Sequence, residues 1–286
     1  MLTIINLKSQ PRLLPALILI ITTFCLYSGN QSKAAESENS EVIGFYTSGC
    51  IENSIPLPEA NKGYQVIRLS RNRFYGHPNL IQFIKSLGQS VATYLAGTLL
   101  VGDLSREKGG PISDDHNSHQ NGLDADILFW QIPVAAKRIL TWSERENIYP
   151  ISLLTDNYKN LDYSKWNPVY GGILKLAASS EKVDRIFVNP LIKRKLCTTY
   201  KGENWLGKIR PWWGHDGHFH VRLHCPNDSP LCEPQKPVPD GDGCDADLDM
   251  WLRAIARIKS VKKSEKSKEK SLRPLPKECL TLLSDY

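Results

Sequence analysis

Six of the seven histidines in this 286-residue chain fall in two short polar segments. His116 and His119 stand in D-D-H-N-S-H-Q-N-G-L-D-A-D. His215, His218, His220 and His224 stand in W-W-G-H-D-G-H-F-H-V-R-L-H, and the long stretch between the segments has no histidine. A histidine pair with neighbouring carboxylates, joined to a distant His-x-His, supplies the donors of one transition-metal site built from two strands. Zinc is the ion these ligand types favour. His119 and Asp126 form H-x6-D, a histidine leaving a loop and a carboxylate on the strand that follows, with Gly122 between them to permit a tight approach. His218 and His220 are two residues apart on a predicted strand, so both imidazoles share one face, where one can bind metal while the other stands close by. Three protein ligands of the His/His/Asp kind leave a fourth position for water, as catalytic rather than structural zinc sites do. Such an ion makes water nucleophilic near neutral pH and polarises a carbonyl.

The elements that must position these groups are short and mixed. His77-Pro78-Asn79 opens a helix whose Leu80, Ile81, Phe83, Ile84, Leu87 and Val91 keep a helical stripe. Residues 99–104 read as a strand running into the first histidine segment, and residues 123–130 as the next. In the latter, Asp124, Asp126 and Leu128 point one way and Leu123, Ala125, Ile127 and Phe129 the other. Residues 168–181 predict a helix with Ile173, Leu174, Leu176 and Ala177 buried. Residues 185–189 predict a strand, and Pro190 starts a short helix ending near Cys197. Phe219, Val221 and Leu223 alternate with His218, His220 and Arg222, a strand with its polar face on the site. The expected fold is α+β, a small antiparallel sheet carrying the zinc site, flanked by helices and long loops and closed by three disulfides.

The two ends of the chain read differently from its body. Lys8 and Arg12 precede an apolar run over residues 13–26, and Ser32-Lys33-Ala34 offers small residues for cleavage, so residues 1–34 are expected to be a secretory signal peptide, too short to leave a membrane span. Residues 35–50 read as a mobile lead-in. Residues 35–259 form the expected catalytic domain, 260–271 a basic low-complexity linker, and 272–286 a segment docking back on the body. The net charge of +6 comes from the ends: the tail and the signal segment carry the basic excess, and the remaining body is mildly acidic, which gives no case for nucleic-acid binding. Without Cys25 of the signal segment, the even number of cysteines left in an exported chain reads as three disulfides, not as a cysteine zinc site, since no C-x-x-C spacing exists.

Several motifs carry a specific resemblance. H-N-S-H-Q-N-G-L-D-A-D-I, R-I-F-V-N-P and R-P-W-W-G-H-D-G-H-F-H-V-R-L-x-C-P, with R-F-Y-G-H-P at residues 73–78 and G-D-G-C at 241–244, resemble the penicillin-insensitive murein endopeptidases. These zinc peptidases share a superfamily with lysostaphin-type enzymes, D-Ala-D-Ala metallopeptidases and hedgehog domains. The likeness runs from about Cys50 to Cys279. It implies zinc ligands at His119, Asp126 and His220, a catalytic base or transition-state stabiliser at His218, and further site histidines at His116 and His215, the first a possible ligand and the second a catalytic group. It also implies hydrolysis of the D-alanyl–meso-diaminopimelyl cross-link of peptidoglycan, in the periplasm; oligomeric state stays open. The disulfides are expected to pair Cys225 with Cys232 across a loop containing Pro226 and Pro230, Cys197 with Cys244, and Cys50 with Cys279, the last fastening the tail to the N-terminal end.

Neighbouring chemistries fit less well. Ser179-x-x-Lys182 and Ser267-x-x-Lys270 spell a serine-peptidase motif, but no Lys-Thr-Gly accompanies them. A carboxypeptidase of the same superfamily would carry glutamate at position 217, which is glycine, and a zinc-keeping binding module would lack the additional histidines. Residues 141–165 hold no histidine, which speaks against a second metal. Asp124 reads as an outer-sphere partner, His224 as a surface residue and His77 as a helix-start residue, while Trp212 and Trp213 suit either a groove or the core.

Overall fold

The computed structural model describes residues 40–112, 117–129, 132–257 and 273–284. The expected signal segment, the linker and His116 lie outside the described residues.

Antiparallel strands β1 (Glu41–Phe45) and β2 (Ser48–Glu52) open the described chain, followed by β3 (Ile55–Pro56), β4 (Ala60–Asn61), β5 (Tyr64–Val66) and β6 (Tyr75–Gly76). Helix α1 (Pro78–Tyr94) then leads to β7 (Leu99–Val101) and β8 (Asp124–Leu128). After α2 (Trp142–Glu146) and α3 (Val169–Ala178) come β9 (Val183–Val188), α4 (Pro190–Thr199), β10 (Ile209–Pro211) and β11 (His218–Leu223), and helices α5 (Ala246–Arg257) and α6 (Lys277–Leu283) close the chain. Seven strands form the main sheet in the order β10-β9-β11-β8-β7-β5-β4. Its centre, β9-β11-β8-β7, is antiparallel, and parallel pairs β10/β9 and β5/β7 extend it on each side. The α+β reading holds, with the two site strands β8 and β11 side by side.

One face of β8 and β11 is apolar. Ala125, Ile127, Phe219 and Val221 pack there into a core shared with Leu80 and Ile84 of α1 and with Ile173 and Leu174 of α3. Every residue of the predicted stripe on α1 is buried. The helix starts as its sequence dictates: Pro78 occupies the first turn, and His77 caps it, its Nδ1 accepting from the Asn79 N–H at 3.1 Å.

The expectation of a mobile lead-in is overturned for residues 41–50, while residues 35–39 lie outside the described residues. Residues 41–52 form the β1–β2 hairpin, with Val42, Cys50 and Ile51 fully buried. Its connection holds the first histidine segment: Gln120 donates through its N–H to Tyr46 O and through Nε2 to Thr47 O, and Gly49 N–H donates to Gln120 Oε1. Glycines and a serine at Gly44, Ser48 and Gly49 hide this hairpin from an apolar pattern. They are required by close packing, since a Cβ on Gly49 would lie 2.4 Å from Ile43 O.

Three disulfides join Cys50 to Cys279, Cys197 to Cys244 and Cys225 to Cys232. The first ties β2 to α6 across a separation of 229 residues, and α6 covers that bond with Leu282 and Leu283. Replacing Cys50 and Cys279 with serine is expected to cost about 2–5 kcal/mol, the usual loss on removing a native disulfide from a secreted domain. Denaturant unfolding of the double variant measures it, and limited proteolysis should then cut first near α6.

Candidate active site

The pairing of β8 with β11 builds the site. Register sets His220 directly opposite Asp126 and Arg222 opposite Asp124, with His218 opposite Leu128. Side chains alternate along both strands, so Asp124, Asp126, His218, His220 and Arg222 share the polar face. His119 reaches it from the loop before β8, with its backbone in the left-handed region at φ 67°, which histidine enters more readily than most residues. Its N–H donates to Asp124 Oδ2 at 3.3 Å, a local bond that sets the loop.

His119, Asp126 and His220 converge. One atom from each lies within 4.8 Å of the others, and all three residues are buried. His220 Nδ1 stands 3.0 Å from Asp126 Oδ1, His119 Nε2 3.4 Å from the same oxygen, and the two imidazole rings meet edge to face at 4.7 Å. Two imidazoles and a carboxylate at that spacing are a donor set that fits a divalent transition-metal ion. Asp124 lies within reach of the same cluster but is committed elsewhere. Arg222 donates to it through Nε and Nη2, both at 2.8 Å, and His220 Nε2 is 3.3 Å from its Oδ1. It therefore stands against the His220 nitrogen that faces away from Asp126 and sets the angle of that ring.

Electrostatics follow this arrangement. Burial opposes charge on Asp124, but Arg222 and His220 outweigh it and hold the carboxyl well below the usual range. Burial likewise opposes charge on Asp126, and His218 and His119 overcome it. Burial works to lower His220, yet Asp124 and then Asp126 push it up to about 9. The opposite holds for His215, which burial, reinforced by His220 and His218, brings down to about 3. Burial lowers His218 as well, against the pull of Asp126.

His218 is half-buried, its Nε2 3.6 Å from Asp126 Oδ2, on the open side of the cluster. His215 stands beside it, ring centres 5.1 Å apart, its Nδ1 2.8 Å from Trp213 O. The R-I-F-V-N-P motif explains the placement of His215: Asn189, which caps α4, donates through N–H to His215 O and through Nδ2 to Gly214 O. Phe187, Trp212, Trp213 and His215 wall a cavity of about 350 Å³ that opens onto Asp126, His218 and His220. Trp212 and Trp213 are thus groove residues, each about half exposed and tilted against Trp251.

Sequence reading placed His119, Asp126, His215, His218 and His220, and the structure brings all five together. It missed Arg222 as the partner of Asp124, and Tyr46, whose ring lies 4.1 Å under the Arg222 guanidinium. The face alternation of β11 was the signal available for Arg222; nothing local pointed to Tyr46. His224 is exposed, 3.5 Å from Asp184, and away from the cluster.

Residues 42–284 match the penicillin-insensitive murein endopeptidase family. The chain belongs to it. Among proteins of that name it is 43% identical over 251 residues to one from Haemophilus influenzae, covering 87% of this chain and 85% of the relative. It is 39% identical to one from Klebsiella pneumoniae and 38% identical to one from Escherichia coli, with 87% of this chain and 88% of each relative covered. The family is one of peptidases, and both histidine segments, the hairpin except Glu41 and all three disulfides fall within the matched residues.

Asp124→Ala should test the support of this family site. It leaves Arg222 buried without its carboxylate, at about 3–5 kcal/mol in urea unfolding. If the cluster holds a divalent metal, loss of the carboxylate 3.3 Å from His220 Nε2 should weaken that metal's affinity by about 10–100-fold, read by competition with a chromophoric chelator.

Proposed function

We propose that the chain is a zinc-dependent murein endopeptidase hydrolysing the D-alanyl–meso-diaminopimelyl cross-link of peptidoglycan, exported by residues 1–34 and acting in the periplasm. The observation that carries this reading is the buried convergence of His119, Asp126 and His220 at the floor of an open, aromatic-walled groove, in a member of this family. Those three residues would hold zinc. When bound, zinc supplies Lewis acidity towards a carbonyl and brings water into ionisable range near neutral pH.

The protein's own groups take the other roles. His218, half-buried beside the cluster and lowered towards its neutral form, holds or moves a proton at Nε2, next to Asp126. His215, lowered further, presents a neutral ring whose Nδ1 faces Trp213 O, which fixes its orientation. The Trp212–Trp213 wall gives stem peptides an apolar surface to lie on. Among the described residues no helix is long and apolar enough to cross a membrane. The reading gives residues 35–259 the catalytic work, residues 260–271 the place of a linker, and residues 272–286 the return that α6 and the Cys50–Cys279 bond make.

Two tests separate this from other mechanisms. Cleavage of purified peptidoglycan in a zymogram should vanish with a strong chelator, return with zinc, and persist under β-lactams, which acylate a catalytic serine that this chemistry does not use. Full inhibition by stoichiometric penicillin would overturn the reading.

The pair His218 and His220 gives the second test. His220→Ala should strip the metal and abolish turnover, because two ligands hold zinc poorly. His218→Ala should keep near-stoichiometric zinc and lose roughly 10²–10⁴-fold in rate, the usual worth of a positioned acid–base group. Metal analysis beside kinetics reads both, and retention of zinc by the His220 variant with loss from the His218 variant would invert the assignment.

A further inference from the structure

The polar face that carries Asp126 continues sideways onto the chain leaving β7. Gly102 follows that strand, and its N–H donates to Asp126 O at 2.8 Å. A Cβ on Gly102 would lie 3.7 Å from Asp126 Cβ and 3.2 Å from Nη2 of Arg68. The missing side chain therefore leaves a gap in which the Arg68 guanidinium lies alongside Asp126, on the flank opposite Phe187 of β9.

Arg68 is held there by its backbone. It sits in the left-handed region at φ 53° and ψ 48°, where an arginine is strained and glycine or asparagine would be at ease. Its N–H donates to Arg145 O and its carbonyl accepts from Arg71 N–H, so the strained turn is fixed at both sides.

Among the described residues the charge it presents has no ion-pair partner. Nε is buried without a hydrogen-bond acceptor, and among the described residues no carboxylate lies within ion-pair distance of the guanidinium. Its neighbours behave differently: Arg71 and Arg73 both pair with Asp103, and Arg145 pairs with Glu59. Asp103 and Asp126 are the carboxylates whose fields reach Arg68. Asp103 is held by two other arginines, and Asp126 faces the histidines. A half-buried guanidinium left unpaired costs stability, and one that borders the same gap as Asp126 at Gly102 is suited to an anionic group brought by the ligand.

We propose that Arg68 binds a substrate carboxylate next to the scissile amide. The proposal rests on the function argued above. In a D-alanyl–meso-diaminopimelyl cross-link, the amide nitrogen is attached to a carbon that also bears a free carboxylate. A planar guanidinium beside Asp126 can grip that carboxylate with two parallel N–H bonds while the adjacent carbonyl faces His218 and the cluster. Arg68 is then the residue that distinguishes a free diaminopimelyl carboxylate from an amidated one.

Binding and kinetics test this separately. The probe is a stem tripeptide ending in meso-diaminopimelate, compared with the same peptide carrying a carboxamide at the D-centre, titrated by calorimetry into the zinc-loaded protein. The wild type should bind the acid about tenfold or more tightly than the amide, as suits a charge-assisted bidentate bond. Arg68→Gln should bind both alike, and Arg68→Lys should keep part of the preference. A wild type indifferent to amidation, or an Arg68→Gln variant that keeps the preference, overturns the assignment.

On the cross-linked dimeric muropeptide, Arg68→Gln should lose on the order of 10–100-fold in kcat/KM, mainly through KM, and little on the amidated dimer. Equal losses on both dimers would place Arg68 elsewhere in the reaction and overturn the carboxylate role. The thermal midpoint of Arg68→Gln should stay level or rise, because an unpaired charge is removed, and a marked fall would instead show a structural role. Should the wild type fail to cleave the unmodified dimer, the proposed function falls, while the acid-against-amide binding difference still decides on Arg68.

Discussion

The site depends on the register between β8 and β11. Asp126 faces His220 and Asp124 faces Arg222 across the same two strands. A slip of one residue would turn all of these side chains into the core and bring Ala125, Ile127, Phe219 and Val221 to the groove. The apolar face forbids that slip through burial against α1 and α3, and the polar face forbids it through the bidentate Asp124–Arg222 pair. Stability alone does not demand such a pair, since apolar side chains of similar volume in its place are often neutral or stabilising. Its work here is geometric. Arg222 holds Asp124 away from the ligand cluster, and Asp124 in turn fixes the His220 ring and the His119 backbone. Tyr46, under the guanidinium, and Gln235, accepting from Nη1 at 2.7 Å, hold Arg222 itself.

Two loops carry strain that these strands do not. His119 and His215 both lie at positive φ, 67° and 50°. Each such residue costs roughly 1–2 kcal/mol relative to its relaxed form. The surroundings over-determine both positions. The β1–β2 hairpin grips Gln120, directly after His119, and Asn189 grips Gly214 and His215. Two of the disulfides reinforce the first of these regions. Cys50 is on the hairpin strand next to Gly49, and Cys225–Cys232 closes a loop that hydrogen-bonds to β1 through Gly44. The frame around the site is thus drawn from segments far apart among the described residues, which is why the site comes with so many separate motifs.

That distribution also decides what could be read in advance. The helical stripe of α1, the alternation of β8 and β11, the strand and helix around Pro190, and five of the site residues were legible because each rests on a local pattern. The hairpin before Cys50 was not, because its glycines answer to Ile43, Phe45 and Asn121 across space and break the apolar alternation. Strands β4 and β5, two and three residues long, are too short to show any period. Arg222 stood on the correct face in the sequence, yet its meaning needed the strand opposite. Arg68 gave no sign at all: its left-handed backbone and its nearness to Asp126 exist only once β5, β7 and β8 lie side by side.

The same packing constrains which group can serve as acid–base catalyst on the proposed mechanism. Position 217, just before β11, is where the related carboxypeptidases are expected to carry glutamate, but a Cβ there would lie 2.7 Å from Pro150 Cβ and 3.1 Å from Ile151 O. The segment around Pro150 is itself anchored, since Leu153 N–H donates to Asp216 O at 2.9 Å. A side chain at 217 would have to displace that segment, whose neighbour Leu153 is fully buried. On the proposed mechanism the strand itself offers the proton-handling group, two residues from His220 and on its face, where the chain places His218. A glutamate at 217 would thus require the Pro150–Ile151 segment to move, whereas His218 needs no such change.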